Sequence, residues 1–363
     1  MGDPPLKKEK EPSYSAFTQQ QLPACKPLLT PIVVVIVFFT LGVVFIPIGA
    51  IALSASRSVV EVVKRYDDHP DCTRCLSAEG VIGECSSNSD RDESLYNTVN
   101  GTGYNCTIEI EIEDKMEKPV YMYYELNNFY QNHRRYVKSR SDEQLRGEDP
   151  SSSVIGEKCD PKKYQNEDNE EETDIINPCG LVAWSYFNDT YSATRTTTGG
   201  DASDVVIDET GIAWKSDVDD KFDDYKATNF NNIPEVRGGG EMGGDKTVNK
   251  DEHFIVWMRT ATLPNFRKLW GKIDMDLEKG DKLTFVVSNR YNTYRFSGKK
   301  KIVLSTTTWL GGKNDFLGIA YLVVGAFCLS LGLVFLAIYL KNPRNLGDAS
   351  HLSWEKAKRK NLG

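Results

Sequence analysis

Two uncharged apolar runs, one toward each end of the chain, restrict its possible architecture more than any other feature. Ile32 to Leu53 is 22 residues with Thr40 as its one polar side chain, and Phe316 to Leu340 is 25 residues without a charge. Coiled as helices, they would extend about 33 Å and more, enough for a hydrocarbon core of roughly 30 Å. Nothing between them qualifies, so the sequence predicts two transmembrane segments. A cleaved leader is the competing reading of the first run, because Ala50 and Ala52 have small-x-small spacing. That run is too long for a leader core, and about thirty residues precede it.

Cations near span ends stay on the cytoplasmic side. The amino tail carries Lys7, Lys8, Lys10 and Lys26. The carboxyl tail carries Lys341, Arg344, Lys356, Lys358, Arg359 and Lys360 against Asp348 and Glu355. The expected organisation is a cytosolic tail at 1–27, a first span at 28–55, an exoplasmic domain at 56–315, a second span at 316–340 and a cytosolic tail at 341–363. Residues 56–315 hold 34 cations and 47 anions, a balance that argues against a nucleic-acid partner.

Cysteines fit this plan. Cys72, Cys75, Cys85, Cys106, Cys159 and Cys179 fall between the spans, leaving Cys25 and Cys328 outside. Six cysteines in an oxidising space predict bridges, with fifteen possible pairings. Cys72-x-x-Cys75 lacks the second CxxC of a zinc site. Asn100-Gly-Thr, Asn105-Cys-Thr and Asn188-Asp-Thr are acceptor triplets for glycans, and all lie in the same segment.

Cys106 to Glu113 alternates apolar and polar residues with the period of a half-buried strand. Val120–Tyr124, Phe254–Met258, Leu283–Ser288 and Ile302–Thr308 read as further strands. Ser297-Gly298 suggests a hairpin turn between 291–296 and the strand after Lys299. Short helices are expected over 127–138 and, after Pro264, over 265–270. Together these predict a mainly-β antiparallel sandwich. The acidic block at 167–174 reads as a solvated loop, since it lacks the spacing of a calcium loop. A bridge from Cys159 to Cys179 would tie it off, for about 3 kcal/mol in the chain-entropy treatment. Residues 199–250, rich in Gly and Asp, read as insertions on the scaffold.

Reactive chemistry finds little support. Gly238, Gly240 and Gly243 match GxGxxG, but no apolar-periodic helix follows. Asp245-Lys246-Thr247 matches the start of the phosphorylation motif of ion pumps, yet Val248 stands where glycine is required. HExxH, GxSxG and Walker motifs are missing, and His133 reads as a surface residue. Neither span carries an ionisable side chain. Gly325 to Gly332 and Ala326-x-x-x-Ser330 suggest a helix-packing face. No cofactor or metal is expected.

Several ordered blocks resemble the cell-cycle-control protein 50 family, the accessory β-subunits of phospholipid-flipping type IV P-type ATPases. They are FTQQQLPACKPLLT at 17–30, FIPIG at 45–49, NFYQNHRRYVKSR at 128–140, PCGLVAWSYFNDT at 178–190, GIAWK at 211–215, FIVWMRTATLPNFRKL at 254–269 and LSTTTWLGGKNDFLGIAY at 304–321. The tail PRNLGDASHLSW at 343–354 is similar to the plant branch, the ALA-interacting subunits. The resemblance implies a noncatalytic subunit with a jelly-roll-like, disulfide-braced domain over the pump's exoplasmic loops. Such a subunit supports the catalytic α-subunit's folding, exit from the endoplasmic reticulum and phosphorylation cycle. Its implied stations are the endoplasmic reticulum, Golgi or endosomes and plasma membrane, among membrane lipids. It also implies bridges Cys72 to Cys106, Cys75 to Cys85 and Cys159 to Cys179, and a glycan on Asn188. Asn292-Thr-Tyr is not an acceptor triplet where relatives often have one. From the matched blocks, Asn132, Arg134, Arg135, Trp257, Arg259 and Phe266 are candidates for partner contact. The rival class is a subunit of an oligomeric two-span ligand-gated channel, which would self-associate and conduct; a tethered exoplasmic hydrolase is a third.

Overall fold

The computed structural model describes residues 15–17, 22, 30–72, 74–76, 82–84, 104–165, 175–227, 229–233, 238–242 and 246–343. It forms two compact units, Ser54–Asp315 and the paired terminal segments Met1–Leu53 with Phe316–Gly363.

The terminal unit is built on helices Pro31–Arg57 and Asp315–Lys341, each 27 residues and apolar enough to cross a membrane. With them the chain is an integral membrane protein. Val35, Gly42 and Gly49 recur at steps of seven on a buried face of the first helix, and Gly318, Gly325 and Gly332 do the same on the second. A seven-residue repeat keeps two α-helices in register along a left-handed crossing. A Cβ added at Gly318 would lie 2.7 Å from the Leu53 backbone nitrogen, and one at Gly49 2.9 Å from that of Leu322. Only glycine allows such an approach. Ala326 and Ser330 are exposed, so the Ala326-x-x-x-Ser330 half of the expected packing face points elsewhere, and the glycine repeat makes the seam.

The larger unit is a two-sheet antiparallel sandwich. Its strands are β1 Glu61–Arg65, β2 Arg74–Leu76, β3 Ile82–Glu84, β4 Tyr104–Glu111, β5 Val120–Asn127, β6 Thr190–Thr196, β7 Ala202–Val205, β8 Ile207–Asp208, β9 Phe266–Ile273, β10 Lys282–Asn289 and β11 Lys299–Ser305. One sheet runs β1-β11-β5-β9-β8, the other β4-β10-β6-β7, with β2 and β3 as a separate pair. On β4, Cys106, Ile108 and Ile110 are buried while Thr107, Glu109 and Glu111 face out, and Ile108 lies opposite Phe285 of β10. Val120, Met122, Tyr124 and Leu126 of β5 close the same core from the other sheet. Glu61 pairs with Ser305, so the domain's first and last strands are neighbours.

Four local expectations are corrected. Phe254–Met258 belongs to a helix, Glu252–Met258, because Asp251 caps it by accepting from the Phe254 amide at 3.1 Å. Residues 266–270 form β9 rather than a helix, since Phe266, Lys268 and Trp270 alternate inward and the strand pairs with β5, with an irregularity in the register at Trp270. Ser297-Gly298 makes no hairpin: Tyr294–Phe296 is a 3-10 turn, and β11 pairs with β1 and β5. Within 127–138 only Arg134–Lys138 is helical, Asn127 still being strand. The Gly- and Asp-rich stretch is also more than insertion. It supplies β7 to one sheet and β8 to the other, and Phe222, Phe230 and Val248 enter the core. Residues 167–174 lie outside the described residues.

A charge pair sits in the core between the sheets. The Lys300 ammonium of β11, fully buried, donates to Asp189 at 2.6 Å, to the Tyr291 carbonyl at 2.6 Å and to Asn289. Asp189 also accepts from the Tyr66 hydroxyl and from the Arg290 and Tyr291 amides, each at 2.6 Å. Burial lowers the Lys300 ammonium below the ordinary lysine value, and Asp189 pulls it back up. Removing one member of a buried, bonded pair strands its partner's charge, at a cost of about 3–5 kcal/mol. Lys300→Ala should therefore lower the full chain's unfolding free energy in detergent by that amount, followed by tryptophan fluorescence. The exposed neighbour change Lys299→Ala should shift it by no more than about 0.5 kcal/mol. Equal effects would contradict the assignment.

Candidate partner interface

Residues 251–270 make one surface of the larger unit, beginning with the short helix Glu252–Met258. Its apolar residues Phe254, Ile255, Trp257 and Met258 are buried, and the Trp257 indole donates to the Val182 carbonyl at 2.8 Å. The Glu252 carboxylate accepts from the Gly211 and Ala213 amides at 2.9 and 2.8 Å, fastening the segment that ends in Trp214. At the helix's other end, Lys268 reaches in from β9. It donates to the carbonyls of Val256, Trp257 and Arg259 at 2.7, 3.0 and 2.6 Å. These are the acceptors that a helix C-terminus leaves unpaired, and a cation there also opposes the helix dipole. Burial, with Arg259 adding, lowers Lys268 to about 7.

The segment beyond the helix is clasped by residues 128–132. Asn132 donates to the Thr262 carbonyl at 2.9 Å, Gln131 accepts from the Ala261 amide at 2.8 Å, and Phe129 donates to Pro264 at 3.0 Å. Among the sequence candidates, Trp257 and Phe266 are core residues. Asn132, Arg134 and Arg135 are exposed, the last pairing with Asp160 at 3.0 Å. Arg259 is half-exposed. It binds Asp217 at 3.0 Å and lies over the Trp214 ring, 4.9 Å from its centroid.

Two clefts adjoin at Arg259. One, of about 460 Å³, is walled by Trp214, Leu263, Phe266 and Lys268; the other, of about 340 Å³, by Arg140, Arg146, Phe222 and Met258. Asp217, Ile255, Arg259 and Thr260 line both. The sequence reading missed Trp214, Leu263 and Lys268. All three stand in the family-like blocks at 211–215 and 254–269, the one signal that could have found them.

Cys72, in a 3-10 turn, is bridged to Cys106 of β4, and Cys159 to Cys179. Cys85, Asn100 and the Cys75 side chain lie outside the described residues. Asn105 is exposed on β4; Asn188 is half-buried, its amide oxygen without a hydrogen bond. Among the described residues, no group of three or more His, Cys, Asp or Glu side chains is placed to hold a metal ion. The Gly-rich segment at 238–240 instead allows close contact: a Cβ at Gly239 would lie 1.9 Å from the Tyr186 carbonyl oxygen.

The profile of the LEM3 (ligand-effect modulator 3) family / CDC50 family matches residues 52–345. The chain belongs to the CDC50 family. It is 46% identical over 351 residues to ALA-interacting subunit 3 of Arabidopsis thaliana, covering 96% of this chain and 92% of that one. Putative ALA-interacting subunit 4 of the same plant is 47% identical over 345 residues, covering 95% and 94%. Cell cycle control protein 50A of Bos taurus is 38% identical over 363 residues, covering 94% and 93%.

Lys268 gives this CDC50-family domain a measurable pH signature. Its unfolded value is the ordinary 10.5 and its folded value is about 7, so between them the unfolded chain binds the extra proton. The stability linked to this group is complete above 10.5 and is lost as pH falls toward 7. From pH 7 to 10, wild type should gain on Lys268→Met by up to about 1.4 kcal/mol per pH unit, measured by denaturant unfolding. A difference independent of pH would contradict the shift.

Proposed function

We propose that this chain is the noncatalytic accessory β-subunit of a phospholipid-flipping type IV P-type ATPase. The observation that carries it is near-complete coverage, at 46% identity, of a relative named as an ALA-interacting subunit. The two apolar helices and the braced antiparallel domain suit such a part. In this role the spans lie in the bilayer beside the catalytic α-subunit, both tails are cytosolic, and the domain of 56–315 faces the exoplasm. There its cysteines oxidise and its acceptor triplets can carry glycans.

The subunit assists the pump's folding, its exit from the endoplasmic reticulum and its phosphorylation cycle. Two modest contacts, one within lipid and one outside it, reinforce each other, because the first raises the effective concentration of the second. Asn132, Arg134, Arg135 and Arg259 are the exposed members of the candidate contact set. Trp257 and Phe266 act by holding the segment that presents Arg259.

Co-expression with a plant type IV P-type ATPase and capture through a tag on this chain tests the role. The expected result is near-stoichiometric recovery of the ATPase in detergent, and loss of most of its phosphoenzyme when this chain is omitted. Recovery of this chain only as a self-oligomer, with an unchanged phosphoenzyme level, would refute it in favour of the channel-type class.

A further inference from the structure

The loop from Thr306 to Asp315, which leads into the second apolar helix, is tied at both ends to the residues that leave the first. The Thr306 amide donates to the Val60 carbonyl at 3.0 Å, and the Thr306 hydroxyl accepts from the Val60 amide at 3.0 Å. At the other end, the Asn314 amide donates to the Ser56 hydroxyl at 2.9 Å, and that hydroxyl donates to the Asp315 carboxylate. Ser56 is the third residue beyond Leu53, the last of the first apolar run, and so lies about 4.5 Å further along the helix axis. The polar interface of a bilayer is about 5–8 Å deep on each side, so the end of the loop at Asn314 and Asp315 is held at headgroup depth.

Between these ties the chain makes a closed turn with an apolar corner. Thr308 and Gly311 exchange amide-to-carbonyl bonds, each at 2.9 Å, and Gly311 supplies the positive φ of 109° that completes the turn. The two corner residues are Trp309 and Leu310. Water-facing turns use Gly, Asn, Asp, Ser or Pro at such positions, whereas here the indole is 75% exposed and Leu310 half-buried. The cations of 54–60 and 306–315, Arg57 and Lys313, are exposed, while the one carboxylate of these segments, Asp315, is taken up by Ser56. An exposed indole beside exposed Lys and Arg at the end of a span is the composition of an interfacial belt. There the apolar body of the ring sits against acyl chains, while its N–H and the cations reach ester and phosphate oxygens.

We infer that the Trp309–Leu310 turn is a lipid-anchoring site, with the Trp309 indole lying in the headgroup layer of the leaflet on the larger unit's side. The partner is the phospholipid surface itself. It is recognised through groups that every phospholipid shares, apolar chains below and ester and phosphate oxygens above, so no particular headgroup is selected. Gly311 is five residues from Phe316, where the second apolar run begins. Even a fully extended chain of that length reaches only about 18 Å, so the turn stays near lipid with or without a protein partner. The inference rests on the two membrane spans and not on the subunit role.

The test uses the full chain in phosphatidylcholine nanodiscs, read by tryptophan fluorescence. The emission lost on Trp309→Phe defines this ring's share. Lipids brominated near the headgroup end of the acyl chain should quench more than half of that share, and lipids brominated near the chain terminus clearly less, because the ring lies shallow. The share assigned in the same way to Trp214, 66% exposed on the same unit, should respond to aqueous iodide and not to brominated lipid. With the photo-crosslinker p-benzoylphenylalanine replacing Trp309 in the full chain co-expressed with the ATPase, irradiation should give adducts of phospholipid mass. A Trp309 share that brominated lipid leaves untouched and iodide quenches as it does that of Trp214 would overturn the inference. So would adducts solely to the ATPase or to a second copy of this chain.

Discussion

Lys300 and Asp189 meet in the core where the two sheets come together, and the rest of the larger unit is arranged around their contact. Lys300 belongs to β11, which pairs with the domain's first strand; Asp189 immediately precedes β6 of the opposite sheet. Two opposite charges deep in a protein are tolerated only when their hydrogen-bonding capacity is met. Here three acceptors surround the ammonium, while a tyrosine hydroxyl and two amides complete the carboxylate. The network fixes the turn after β10, the end of β1 and the start of β6 relative to one another. The aromatic core of Tyr66, Tyr191, Trp270 and Phe187 packs beside this fixed frame.

How much was legible from sequence depended on whether inward positions carried apolar residues. Cys106, Ile108 and Ile110 announced β4, and Ile302 with Leu304 announced β11, because hydrophobic alternation and strand period coincide. Lys300 was hidden within a run of three lysines that resembles a solvated face. Lys268 concealed β9 in the same way, interrupting the inward series Phe266 and Trp270 with a charge. Pro264 then suggested a helix start where a strand begins. The helix Glu252–Met258 was missed for the opposite reason: FIVWM is apolar throughout, so only the Asp251 cap distinguishes helix from strand. Both buried lysines serve polar backbone or side-chain partners that lie outside their own strands, and no local pattern reveals such partners.

The candidate surface depends on these same hidden features. Lys268 secures the end of the helix from which Arg259 emerges, and Glu252 secures the segment that delivers Trp214. The glycine seam of the terminal unit follows a different logic, in which removal of side chains allows two backbones to approach within lipid. Thus one unit is specified by satisfied polar groups in its core, the other by small residues at heptad spacing. Each leaves an outer surface available to a larger partner.

The central claim is that this chain acts through another integral protein. The most direct measurement is fluorescent-lipid movement in liposomes containing this chain alone, an ATPase alone, or both. ATP-dependent translocation should require both proteins, with the lone chain inert. Lipid scrambling, ion flux or ATP turnover by the lone chain would contradict the account.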